Sequence, residues 1–162
     1  MTEAEMRGHR CCFTGHRPEK LLCSKEQITT DLTTAIDNAI SDGYRTFISG
    51  MAMGVDIWAA QIILEKKTVL SGLHLICALP FPGFGDRWPS QWSDAYREII
   101  AQADLVKSIS PAFSYASFQR RNKWMVDHSG RVIAVYNGCS GGTRNTMIYA
   151  QQNNVPCILI SG

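Results

Sequence analysis

Polar and apolar positions alternate along this chain in two rhythms. Short, mainly apolar runs recur at Arg10–Phe13, Thr46–Ser49, Leu73–Leu79, Asp104–Ile109, Arg131–Tyr136 and Pro156–Ile160. Each has strand length and is bounded by turn residues. Between them apolar residues return at three- and four-residue intervals, the spacing of one helical face. Ile28, Leu32, Ala35, Ile36, Ala39 and Ile40 form such a stripe behind Ser24, a helix cap with Gln27 at the reciprocal position, and Gly43 stops it. Gly54 to Lys67 predicts a second helix, packed through Ile57, Trp58, Ile62 and Ile63. Further helices are predicted over Gln91–Gln102 (Trp92, Tyr96, Ile99, Ile100), Ser117–Ser129 (Phe118, Trp124, Met125, Val126) and Thr143–Asn153. Pro80-Phe81-Pro82-Gly83-Phe84-Gly85 excludes regular structure and predicts a long crossover or lid.

Strands alternating with helices predict an α/β layer fold with right-handed crossovers. The unbroken Leu73–Leu79 run suits a strand buried on both faces of a parallel sheet. No internal repeat, low-complexity tract or linker divides the 162 residues, so 1–162 reads as a single domain. In such folds ligands bind beyond the strand C-terminal ends, where the strand order reverses.

Three glycine-containing turns would gather at that edge, each following an apolar run. In Thr14-Gly15-His16-Arg17, Gly15 would let the backbone approach a ligand, Arg17 could fork onto phosphate, and His16 could donate to an oxygen or exchange a proton. The alternative is a tight turn with a solvent-facing arginine and a packed histidine. In Ser49-Gly50-Met51-Ala52-Met53-Gly54-Val55-Asp56, Gly50 and Gly54 remove side chains where strand meets helix, and first-turn amides can bind an anion. Asp56 could cap those amides, accept a ribose hydroxyl or serve as a catalytic acid. In Asn137-Gly138-Cys139-Ser140-Gly141-Gly142-Thr143-Arg144, Gly141 and Gly142 allow close phosphate approach. Thr143 and Thr146 can cap the helix or bind phosphate oxygens, and Arg144 can cover the ligand or form an ion pair. A glycine-rich turn alone is the other reading.

Arg120-Arg121-Asn122-Lys123 adds three positive charges, either attracting a nucleotide or forming a solvated helix face. Phe81, Phe84, Trp88 and Trp92 suit core or interface packing, or the covering of a base. A GxxxxGK[ST] loop and a GxGxxG fingerprint are both absent, which argues against ATP hydrolysis of the phosphate-loop kind and against nicotinamide hydride transfer. A net charge of +2 neither predicts nor excludes nucleic-acid binding. The six cysteines form no CxxC pair, and no secretion signal is evident. Reduced, mostly buried thiols in a cytoplasmic protein are therefore expected. The four histidines lack metal-ligand spacing, so no metal site and no obligatory cofactor are predicted. No apolar stretch approaches the roughly 20 residues that cross a membrane.

The motifs Cys12-Phe13-Thr14-Gly15-His16-Arg17-Pro18, Ser49–Asp56 and Gly141-Gly142-Thr143-Arg144-Asn145-Thr146 resemble the YpsA-like family of the SLOG superfamily across nearly the whole chain. Arg120-Arg121-Asn122 followed by Met125-Val126-Asp127 resembles its central region and singles out Arg120 and Asn122. The resemblance implies a Rossmann-like, three-layer α/β/α fold with a mostly parallel sheet. It also implies a nucleotide or ADP-ribose-like ligand and allows self-association. The superfamily includes nucleoside-monophosphate phosphoribohydrolases and DNA-processing protein A, which binds single-stranded DNA. The first branch resembles a PGGxGTxxE pattern, but Met147 stands here at the glutamate position. The second tends to place a histidine where Gln61 follows Ala60, and this chain lacks an extended basic and aromatic stripe. The expectation is a nucleotide-binding protein using Gly15, His16, Arg17, Gly50, Gly54, Asp56, Arg120, Asn122, Gly141, Gly142, Thr143 and Arg144. The alternatives are N-glycosidic hydrolysis of a nucleotide and single-stranded DNA binding, the latter not favoured.

Overall fold

A computed structural model describes residues 1–162. Six strands, β1 (Arg10–Gly15), β2 (Thr46–Ser49), β3 (His74–Leu79), β4 (Leu105–Ser108), β5 (Arg131–Tyr136) and β6 (Cys157–Ser161), form one sheet in the order β4-β3-β2-β1-β5-β6. Every neighbouring pair is parallel. The fold is Rossmann-like α/β. The chain steps outward from β1 to β4, then returns to build β5 and β6 on the other side of β1. The strand order therefore reverses between β1 and β5, whose ends pair as Thr14 with Ala134 and Gly15 with Val135.

The connecting helices are α2 (Lys25–Ser41), α3 (Val55–Lys67), α4 (Ser90–Gln102), α5 (Tyr115–Asp127) and α6 (Gly142–Gln152). Alternation along the strands sorts their side chains into two layers. Cys11, Phe13, Phe47, Leu75, Cys77, Ile133 and Val135 enter the larger core with residues of α2, α3 and α4. Cys12, Ile48, Ala78, Val132 and Ala134 enter a smaller core with Met125 and Val126 of α5 and Ala150 of α6. Helix α3 contacts both α2 and α4 as well as the sheet, so it is apolar nearly all round its first turns, from Val55 to Ala60.

Local chemistry sets the element ends. Ser24 caps α2 by accepting from the Gln27 amide at 3.1 Å. The reciprocal half of that capping box does not form, because Gln27 Nε2 donates to Asp31 Oδ1 one turn on, at 3.1 Å. The Pro80–Gly85 segment is a run of turns, as its prolines and glycines predict. An additional short helix, α1 (Glu3–Arg7), precedes the sheet. All six cysteines are free, and Cys11, Cys12 and Cys77 are buried. No helix is long and apolar enough to cross a membrane.

Candidate functional site

A cavity of about 220 Å³ opens at the C-terminal edge of the sheet, where the strand order reverses. The end of β1 supplies its floor through Phe13, Thr14, Gly15, His16 and Arg17. Lys20 follows on a short 3-10 turn, Pro18–Lys20. Ala52 and Asp56 come from the loop and first turn leading into α3. Phe118, Arg121, Asn122 and Met125 present one face of α5, and Gly142 and Thr143 begin α6.

The β2–α3 loop is held from within. Ser49 Oγ donates to the Asp56 carbonyl at 2.9 Å and accepts from the Met51 amide at 3.2 Å. These bonds support Met51 at a φ of 61°, a left-handed conformation that costs a non-glycine residue roughly 1 kcal/mol or more. Gly54 caps α3 at a φ of 92°, where its missing Cβ also leaves room for the Pro18 ring 3.0 Å from that position. Asp56 does not cap its own helix. Its Oδ2 accepts from the Ala52 amide in the preceding loop at 3.2 Å, while Oδ1 is buried with no partner.

Arg121 reaches the same place from α5. Its guanidinium donates through Nη1 to the Gly50 carbonyl and through Nε to Asn122 Oδ1, the latter at 2.8 Å. Asp56 and Arg121 are only 6% and 5% exposed. Burial pushes the Asp56 carboxyl up to about 6, against the pull of Arg121, the Ala52 amide and Arg17. Burial pushes Arg121 down to about 10, with Asp56 acting in the opposite direction. The arginine remains a cation at neutral pH. Its ring-facing neighbour is Phe84, 5.8 Å from the guanidinium carbon.

Charge on the cavity wall is unbalanced. Arg17, Lys20 and Arg121 face it with Asp56 as its single carboxylate. Neither Arg17 nor Lys20 forms an ion pair. Helix α6 adds positive potential, because Gly141 caps it at a φ of 140° without a side-chain bond. The amides of Gly142, Thr143 and Arg144 find no acceptor within the protein; Asn145 is the first to find one, donating to the Gly141 carbonyl at 3.0 Å. His16 does not add to the charge. Its pKa is lowered by burial and by the nearby Lys20, and its Nε2 accepts from the Asn137 amide at 3.3 Å. That bond leaves the ring proton on Nδ1.

Of the residues singled out in the sequence, Gly15, His16, Arg17, Asp56, Asn122, Gly142 and Thr143 line the cavity. Gly50 lies behind Asp56 and Arg121, where a side chain would collide with both. Gly54 and Gly141 shape the helix starts without lining the cavity. Arg144 is exposed on the first turn of α6, outside the lining. Arg120 also falls outside: it turns to Ser110, with Nη1 3.4 Å from Oγ. The cavity-facing cation of α5 is its neighbour Arg121, because 118, 121, 122 and 125 share one helical face and 120 does not. Lys20 also joins the site, brought back by the 3-10 turn after Pro18. The aromatic residues Phe81, Phe84, Trp88 and Trp92 pack with the larger core and do not line the cavity.

Residues 11–160 match the model of the YspA SLOG family. A UPF0398 protein of Bacillus pumilus is 28% identical over 148 residues, which cover 86% of this chain and 80% of that protein. The uncharacterized SPbeta prophage-derived protein YoqJ of Bacillus subtilis is 30% identical over 149 residues, 83% of this chain and 80% of its own. Among solved structures, DNA processing protein A of Helicobacter pylori, described for its single-stranded DNA binding mode, superposes with a TM-score of 0.68 at 20% identity. The match covers 99% of this chain and 68% of that one. DNA processing protein A of Streptococcus pneumoniae gives 0.68 at 17% identity, over 97% of this chain and about half (52%) of its own. At such identities the likeness is one of fold.

Proposed function

The chain belongs to the YspA SLOG family, and on that premise we propose that it binds a phosphorylated, nucleotide-derived small molecule in the cavity at the end of β1, walled by the starts of α3 and α6 and by one face of α5. The observation that carries this reading is the charge of the cavity: Arg17, Lys20 and Arg121 against one carboxylate, beside the start of α6, whose first amides no side chain engages. Cations and free helix amides converging on one concave site are the arrangement that holds an anion. The place is where α/β sheets of this topology bind ligands. The bound state would serve as a signal, with the ligand shifting a conformational or assembly equilibrium.

The test is a panel of mono- and dinucleotides, ADP-ribose and inorganic phosphate, followed by thermal unfolding and calorimetry at low salt. A ligand-dependent rise in melting temperature that weakens with salt supports the reading. Unchanged melting and no heat across the panel at saturating concentrations overturn it.

A second reading, N-glycosidic hydrolysis of a nucleotide, draws on one feature: Asp56 is a buried carboxylate on the cavity wall with a pKa raised to about 6. Free base and ribose phosphate appearing on prolonged incubation would support it, and recovery of intact nucleotide would remove it.

A further inference from the structure

The Asp56 carboxylate is incompletely bonded by the protein. A carboxylate offers about four acceptor sites. Here the Ala52 amide fills one, and Oδ1 has no partner at all. Arg121, the cation that acts on it most strongly, directs its Nη1 and Nε donors to Gly50 and Asn122 instead. Buried polar groups in folded proteins are nearly always hydrogen-bonded, and an ionised group left short of donors is costly. Asp56 stands on the wall of the cavity proposed above to hold a phosphate. A phosphate oxygen cannot complete it, since that oxygen is itself an anionic acceptor. A neutral donor on the ligand would complete it.

Resting on the phosphate-binding reading, we infer that the ligand presents free sugar hydroxyls beside its phosphate, and that Asp56 holds one of them. The ligand class is a phosphorylated ribose or ribonucleotide. Internal nucleotides of single-stranded DNA are excluded from this mode: both backbone oxygens of each sugar are esterified and the 2′-hydroxyl is missing, so the sugar has no donor to give. Near neutral pH the carboxylate is largely ionised and accepts such a hydroxyl in a charge-assisted bond.

Calorimetry on the intact protein near neutral pH and at low salt decides the matter, with ribose 5-phosphate, AMP, 2′,3′-dideoxy-AMP and inorganic phosphate as titrants. Fluorescence anisotropy with a labelled oligo-dT supplies the DNA arm. The expected result is binding of ribose 5-phosphate and AMP, with AMP roughly 10- to 100-fold tighter than its dideoxy counterpart, the effect of one bond to a charged group. Asp56→Ala should abolish the difference between AMP and its dideoxy counterpart, while loss of the carboxylate shifts the affinity of both phosphates alike. Equal affinity of wild-type protein for the two compounds overturns the inference while leaving the phosphate site standing. Oligo-dT binding tighter than AMP overturns it as well. No response to any titrant brings down both the inference and the reading on which it rests. The wild-type comparison decides even where Asp56→Ala fails to fold.

Discussion

Asp56 and Arg121 converge on one side of Gly50. A Cβ there would lie 3.0 Å from Asp56 Oδ2 and 2.9 Å from Arg121 Nη1. The glycine is thus what lets a carboxylate from α3 and a guanidinium from α5 share one buried place at the end of β2. Its backbone φ lies outside the left-handed region, so the requirement is one of space. Gly50→Ala should therefore displace one or both side chains. The expected loss is about 1–3 kcal/mol in urea unfolding, the range for overpacking a tight interior. Wild-type stability in this variant would mean that the two side chains give way to the added Cβ at no cost.

Asp56 gives a pH dependence with a defined sign. Its pKa in the folded chain, about 6, lies above the ordinary 3.8. The folded state therefore binds more protons than the unfolded state between those values, and stability falls as pH rises through that window. The loss is on the order of 3 kcal/mol, complete above about pH 6. Other carboxylates act oppositely: Glu3 and Asp104 have lowered pKa values. The comparison must therefore be made against Asp56→Asn, which removes this titration alone. Urea unfolding of both proteins from pH 4 to 7 should show wild type losing ground to the variant across the window. Parallel profiles would sink this account of Asp56.

Gly15 has a different partner from the one its sequence context suggests. A Cβ at that position would sit 2.6 Å from Val55 Cβ, Cγ1 and Cγ2. The glycine lets the start of α3 lie directly against the end of β1, which in turn sets Asp56 on the cavity wall. Gly15→Ala is expected to destabilise by about 1–3 kcal/mol or more. Adding Val55→Ala should not restore stability, because its Cβ remains in the way, whereas adding Val55→Gly should show positive coupling in a double-mutant cycle. Rescue by Val55→Ala would place the collision elsewhere.

The contrast between Gly15 and Arg121 marks how far the sequence can be read. Short apolar runs predict all six strands, and apolar spacing of three and four predicts five of the six helices, because burial on one helix face imposes a period of 3.6. Strand β4 is legible as a run although all four of its residues are exposed. Helix α1 escapes that reading, having no buried residue, though Thr2 and Glu5 form a capping box visible as Thr-x-x-Glu. The glycine turns lead to the sheet edge at which the cavity lies. They do not disclose that Gly15 and Gly50 serve packing of protein on protein, since a missing side chain looks the same for either purpose. Arg121 was within reach: Phe118 and Met125, both read as packing residues, flank it at three and four positions along one face of α5. Lys20 was not, because the turn that returns it to the cavity has no periodic signature.

His16 is expected to be neutral at physiological pH and to carry its proton on Nδ1. Burial and Lys20 both lower its pKa, and the Asn137 amide needs Nε2 as an acceptor. Tyr136 packs against the ring at a centroid distance of 5.4 Å and helps fix its orientation. Two-dimensional nitrogen–proton NMR of the imidazole should show an unprotonated Nε2 and a titration midpoint below the ordinary 6.5. An Nε2-protonated neutral ring would break the bond from the Asn137 amide, and a ring still charged at pH 7 would add a cation to the cavity wall.

The cations near the cavity should separate by position. Arg17 and Lys20 line it without carboxylate partners, whereas Arg120 turns to Ser110 and Arg144 lies outside. All four are exposed, so removing any of them should alter folding stability by less than about 0.5 kcal/mol. Their effects on an anionic ligand should differ. Arg17→Ala and Lys20→Ala are each expected to weaken binding roughly 10-fold, the scale of one charge-assisted contact, and to flatten its salt dependence. Arg120→Ala and Arg144→Ala should leave affinity within about 2-fold, as screened charges at a distance do. Calorimetric titration of the four variants with the tightest ligand of the panel, at two salt concentrations, reads this directly. Equal losses in all four would mean that the ligand responds to the overall field of this face of the protein, and that the cavity wall has no privileged contact with it.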